Sequence, residues 1–161
     1  TLEGATAFDE AVRPTLPPID NRPDIFGEQL FMDREDQITG RMKLLLTTAS
    51  SISVDDVLPL VRAFGGTAFP AHIDRPSYSV VSALGDVPPV GFQAAEITVR
   101  GDVEALCERH PEIRGKPLLL DSDAHYLHQI TDPAAWLDLP EKSPEALIAA
   151  LDGRLSCDWG R

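Results

Sequence analysis

Residues Lys116–His128 read KPLLLDSDAHYLH, and the fold class turns on this stretch. Pro117-Leu118-Leu119-Leu120 is an uninterrupted apolar run, the pattern of a strand buried on both faces. The chain then turns polar at once, through Asp121, Ser122, Asp123 and His125. Residues two apart in a strand share a face, so Asp123 and His125 are expected to project together from the strand's C-terminal end. That end is where α/β sheets and barrels keep their chemistry. A carboxylate beside an imidazole can hold a divalent metal or serve as an acid/base pair. The plain alternative is a polar loop that begins where a core strand stops.

A second polar cluster lies upstream. The spacing of Val57, Leu58, Val61 and Phe64 predicts a helix over residues 54–64, with Ser53 as N-cap and Asp56 completing a capping box. Pro59 falls inside it and predicts a kink or a later start. Gly65-Gly66 ends the helix, and Thr67–His72 follows as a short apolar strand, the αβ half of a crossover unit. Pro70 disfavours an ordinary central ladder position in that strand. The strand ends in His72-Ile73-Asp74-Arg75-Pro76. His72 is a metal ligand or a hydrogen-bonded structural histidine. Arg75 pairs with Asp74 or meets an anionic substrate, for which its planar fork is suited. Tyr78 covers a pocket or simply the core.

The remaining elements follow the same order. Val90–Val99 reads as a strand with Glu96 near its end, as a ligand, an organiser of a neighbouring histidine or a charge at the solvent edge. Asp102 caps a short helix whose inward residues are Val103, Leu106 and Cys107, so Cys107 reads as core rather than nucleophile. His110 closes that helix, favourably placed against its dipole. A short strand is expected around Ala135-Trp136-Leu137. Ser143-Pro144 then opens a last helix, which Gly153 stops. Upstream, residues 1–12 predict a helix, 14–23 a proline-rich connection, and 26–33 with 37–47 a hairpin around Asp33-Arg34-Glu35-Asp36. Met42 and Leu44-Leu45-Leu46 are expected to point into a core. Residues 154–161 read as a tail.

The chain has 161 residues, 43% hydrophobic and 25% charged, enough for one domain with a real core. Fourteen Lys and Arg stand against 26 Asp and Glu, a net charge of −12, which argues against broad nucleic-acid or anionic-membrane binding. No stretch approaches a transmembrane length. No signal peptide is visible, and Cys107 and Cys157 are too few for a disulfide framework. A reducing, cytoplasmic setting is the expectation.

FPAHIDRPSYS at 69–79 and DSDAHYL at 121–127 together resemble the PHP family, the polymerase and histidinol phosphatase metallohydrolases. NRPDIFGEQLFMD at 21–33 and GGTAFPAHIDRPSY at 65–78 extend the likeness over nearly the whole chain. The resemblance implies an α/β fold, the C-terminal portion of a distorted (β/α)7 barrel spanning residues 1–153 and incomplete in this chain. It implies metal ligation by His72, Asp123 and His125, support from Glu96, and a substrate-facing role for Arg75 and Tyr78. Divalent Mn, Zn or Fe suits such mixed nitrogen and oxygen ligands.

The early H-x-H motif of that family has no counterpart here; the histidines are His72, His110, His125 and His128. The expected function is therefore metal-dependent phosphoesterase activity on a phosphorylated small molecule in an intact parent. This chain would supply part of the site and be inactive alone. The alternative is a non-catalytic metal- or ligand-binding regulatory module. Either reading calls for a missing N-terminal portion or a homodimer partner to cover the incomplete barrel.

Overall fold

The computed structural model describes residues 1–160. They form two compact units, Thr1–Ser53 and a second from Val54 onward.

The first unit opens with helix α1, Leu2–Val12, where the Thr1 hydroxyl accepts from the Gly4 N–H at 3.1 Å. After a proline-rich turn and the single turn α2, Pro23–Phe26, strands β1 (Leu30–Met32) and β2 (Ile38–Arg41) pair antiparallel. Asp33 makes their turn: its carboxylate accepts from the N–H groups of Glu35 and Gln37, both at 2.9 Å. Gln29 ties the returning chain down, donating to the Leu44 C=O at 2.7 Å and accepting from the Leu46 N–H at 2.9 Å. Of the run Leu44-Leu45-Leu46, only Leu45 is buried, while Leu46 is half exposed. Polar main-chain and side-chain bonds, rather than a core, organise this unit.

The second unit holds the core. Helix α3, Val54–Ala63, runs through Pro59 and buries Leu58. Helix α4, Val80–Leu84, begins at a Ser79–Ser82 capping box and ends at Gly85, whose φ of 88° a residue with a Cβ resists. Strand β3 (Ala95–Ile97), helix α5 (Val103–Arg109) and strand β4 (Leu118–Leu120) make one parallel crossover, in the register Glu96↔Leu119. Asp102 caps α5 through the Ala105 N–H at 3.1 Å. Ile73, Val87, Ala95, Ile97, Leu106, Ile113 and Leu118 form the buried cluster around this crossover. Strand β5 (Trp136–Asp138), helix α6 (Pro144–Leu151) and strand β6 (Asp158–Gly160) complete the chain. Residues 158–160, expected in a tail, pair antiparallel with β5. Gly160 is needed there: a Cβ would come within 2.9 Å of the Trp136 ring.

The barrel expectation is corrected. Among the described residues the strands form three separate two-stranded sheets, and none closes. The fold is mixed α/β with small open sheets. One reason lies in Thr67–His72, which forms no regular strand. Its main chain still runs beside β3, with the Glu96 N–H donating to the Pro70 C=O at 2.9 Å and the Ile73 N–H to the Glu96 C=O at 3.0 Å. Pro70 has no N–H to continue a ladder, and His72 turns to a φ of 29°.

Two buried polar groups stabilise the second unit. Asp152, at the end of α6, is 6% exposed. Its carboxylate accepts from Arg62 at 2.7 Å and Thr67 at 3.0 Å on one oxygen, and from Arg154 at 2.8 Å on the other. His110, at the end of α5, is buried with Nδ1 bonded to the Asp86 carboxylate.

Candidate functional site

The main-chain path Pro70–Ile73, β3 and β4 lie side by side, and their C-terminal ends share one edge. His72, Glu96 and the loop after Leu120 meet there. The ladder stops at Leu120, so Asp123 and His125 occupy a loop rather than one strand face. Loop geometry therefore replaces the strand alternation expected for this pair. Asp123 has a left-handed backbone, φ 48°, and its carboxylate pairs with the Arg75 guanidinium. His125 is exposed; its Nδ1 lies 2.9 Å from the carbonyl oxygen of Asp123 itself. Gln129 fixes the loop by accepting from the His125 and Tyr126 N–H groups at 2.8 and 3.0 Å.

Asp74 does not pair with Arg75. It accepts from the Thr98 N–H at 2.9 Å and the Thr98 hydroxyl at 2.5 Å, clamping the turn that follows β3. Arg75 is thereby left to Asp123, 48 residues away in sequence. Tyr78 stands 91% exposed at a φ of 58°, so its ring covers no core.

Four non-glycine residues have positive φ among the described residues, and three of them are His72, Tyr78 and Asp123; the fourth, Asp36, lies in the hairpin turn. Such conformations cost roughly 1–3 kcal/mol each and persist where surrounding contacts impose them. Their concentration in the two loops that meet here distinguishes this edge from the rest of the chain.

Electrostatics single out Glu96. Its carboxyl pKa is raised, first by burial and then by the neighbouring charges of Asp121 and Asp123, against an opposing pull from the His72 ring and a hydrogen bond from the His72 backbone. The folded state thus keeps a proton that the unfolded chain has released. Stability falls as pH rises from the ordinary glutamate value of about 4.3 towards the raised one. Glu96→Gln should remove that fall. Between about pH 4 and about pH 7 the urea midpoint of the parent should fall relative to that of the variant; a difference between the two that does not change with pH would refute the assignment.

Metal binding by this chain is also corrected. His72 does offer a buried Nδ1 with no hydrogen-bond partner. Yet among the described residues no group of three or more His, Cys, Asp or Glu side chains could hold an ion. Asp123 is taken by Arg75, and His125 turns to a backbone carbonyl. The His72, Asp123 and His125 set therefore does not fit a metal centre by itself, and neither Mn, Zn nor Fe is accommodated by these residues alone.

Sequence reasoning overlooked Asp121 as a neighbour that raises Glu96, and gave Asp152 no role. The Asp121 signal was its position immediately after the β4 apolar run. No helix among the described residues is long and apolar enough to cross a membrane. No protein-family model, curated protein or solved structure significantly matches the chain.

Proposed function

We propose that this chain supplies one side of a phosphoester-hydrolysing site in a longer or assembled cytoplasmic protein. The reading rests on the PHP-like segments and on one observation above all: Arg75, His72, Glu96 and Asp123 gather at one strand-end edge. The substrate class is a phosphorylated small molecule, and hydrolysis in the intact protein is metal-dependent. This chain's own residues do not make up the metal centre; an upstream portion or a second copy provides what is missing.

Each residue has a distinct task in this reading. Arg75 takes the phosphoryl oxygens with parallel N–H donors, as its planar fork allows. A phosphate must draw Arg75 from Asp123, because the guanidinium is already paired in the chain as it stands. Glu96 holds or releases a proton at a higher pH than an ordinary glutamate, which suits an acid/base group. His72 keeps Nδ1 free of other partners. Tyr78, exposed beside this loop, meets the organic part of the substrate.

Titration with inorganic phosphate tests the arrangement. Backbone resonances of Arg75, Glu96 and Asp123 should shift together in the isolated chain, and Arg75→Gln should abolish the shifts. Shifts confined to other basic residues, or unchanged in the variant, would sink the reading. The incomplete donor set favours a second reading for the isolated chain, that of a non-catalytic ligand-binding module. Phosphate binding without turnover by the complete protein would select it.

A further inference from the structure

Residues 121–134, between β4 and β5, are fastened to the rest of the second unit at a single point. The hydrogen bonds of His125, Tyr126 and Gln129 close within the loop. Packing holds it no better: residues 123–134 are all exposed, Leu127 to 87%. Among the described residues, the one hydrogen bond or ion pair that leaves the loop runs from Asp123 to Arg75.

The other end of that pair is fixed. The Arg75 N–H donates to the His72 C=O, and the Arg75 C=O accepts from the Ser79 hydroxyl, both at 2.9 Å. Asp74 beside it is clamped to Thr98. Arg75 therefore stays with the body of the unit, and the loop is the part free to leave. Asp123 also holds a left-handed backbone, φ 48°, a conformation that relaxes once the contact imposing it is gone.

The pair is weak enough to be exchanged. Its two side chains are 37% and 34% exposed. Such a pair favours the closed arrangement by a factor of about five at most, which leaves Arg75 free roughly one-sixth of the time. A phosphate dianion sets two charges and several acceptor oxygens against one carboxylate, so it takes the guanidinium at the cost of that factor. The departing loop carries the Asp123 charge away from Glu96, whose charged neighbours already include Asp121. Exchange thereby spares the edge the full repulsion of an added anion.

We propose that Asp123 is a built-in competitor for the anion at Arg75, and that an incoming phosphate exchanges with it and unlatches the loop 121–134. This regulation rests on the phosphoester reading, which puts the anion at Arg75.

The test titrates inorganic phosphate into the full chain, followed by NMR. Asp123→Asn should bind phosphate about fivefold more tightly than the parent, and asparagine accepts the left-handed backbone. In the parent, backbone order parameters of residues 124–130 should fall from rigid values to below about 0.6 as phosphate saturates Arg75. In Arg75→Gln they should not respond to phosphate. Equal or weaker binding by Asp123→Asn would overturn the competitor role while leaving the anion at Arg75. A loop equally ordered with and without phosphate would overturn the latch. Absence of phosphate binding at Arg75 in both parent and Asp123→Asn would overturn the phosphoester reading along with this regulation. The loop measurement on the parent needs no substitution, so it decides even where a variant does not fold.

Discussion

Replacing Asp152 with Ala is expected to lower the unfolding free energy by about 2–3 kcal/mol. The carboxylate is almost fully buried and receives Arg62, Arg154 and Thr67. It thereby ties the end of α6 to α3 and to the segment that leads to His72. The figure lies at or below the lower end of the range for a broken buried pair because Arg62 and Arg154 are 42% and 59% exposed and can rehydrate. The pH dependence carries a separate signature. Burial pushes the Asp152 carboxyl up, but the hydrogen bonds from Arg154, Arg62 and Thr67 outweigh it, and the net shift is downward. A depressed carboxylate stabilises the fold above its unfolded value of about 3.9 and loses that contribution as pH falls through the folded value. Denaturant midpoints should therefore separate parent from Asp152→Asn at neutral pH and converge in acid. A variant as stable as the parent at neutral pH would show that the three contacts contribute nothing net.

Arg75→Gln is expected to reduce phosphate-ester turnover about 10²–10³-fold in any active form of the protein, the typical effect of losing a donor that stabilises developing negative charge. Arg75→Lys should recover only part of this, because an ammonium offers a point charge in place of a planar fork. Stability should barely change, since both Arg75 and Asp123 are about one-third exposed and such pairs contribute little. Equal turnover in Arg75→Gln and parent would remove Arg75 from the site and leave its pairing with Asp123 as surface structure.

Local rules explain which elements were legible. The Asp102 and Ser143 caps mark α5 and α6, and the Asp33 turn marks the hairpin, because each signal lies within a few residues of its effect. The apolar run at 118–120 likewise becomes β4. Failures occur where a tertiary contact decides. Pro70 breaks the expected strand ladder, although the main chain keeps its place beside β3. Asp123 leaves the strand face because the ladder ends at Leu120 and Arg75 holds its side chain in the loop. The incomplete barrel rests on resemblance rather than on pattern, and three small open sheets replace it among the described residues. Asp152 was silent in sequence because its partner Arg62 lies 90 residues away. Arg75 and Glu96 were each visible as polar residues after apolar runs; their shared neighbourhood with Asp123 depends on the order of the parallel segments.

The decisive measurement is phosphate release from a generic phosphomonoester with added divalent metal. The comparison is between the isolated chain and the same chain within a longer or assembled form of the protein. No release above blank is expected from the isolated chain, whose described residues do not complete a metal centre, and metal-dependent release that Arg75→Gln lowers about 10²–10³-fold is expected from the complete form. Metal-dependent release by the purified isolated chain, lost in Arg75→Gln, would contradict this reading.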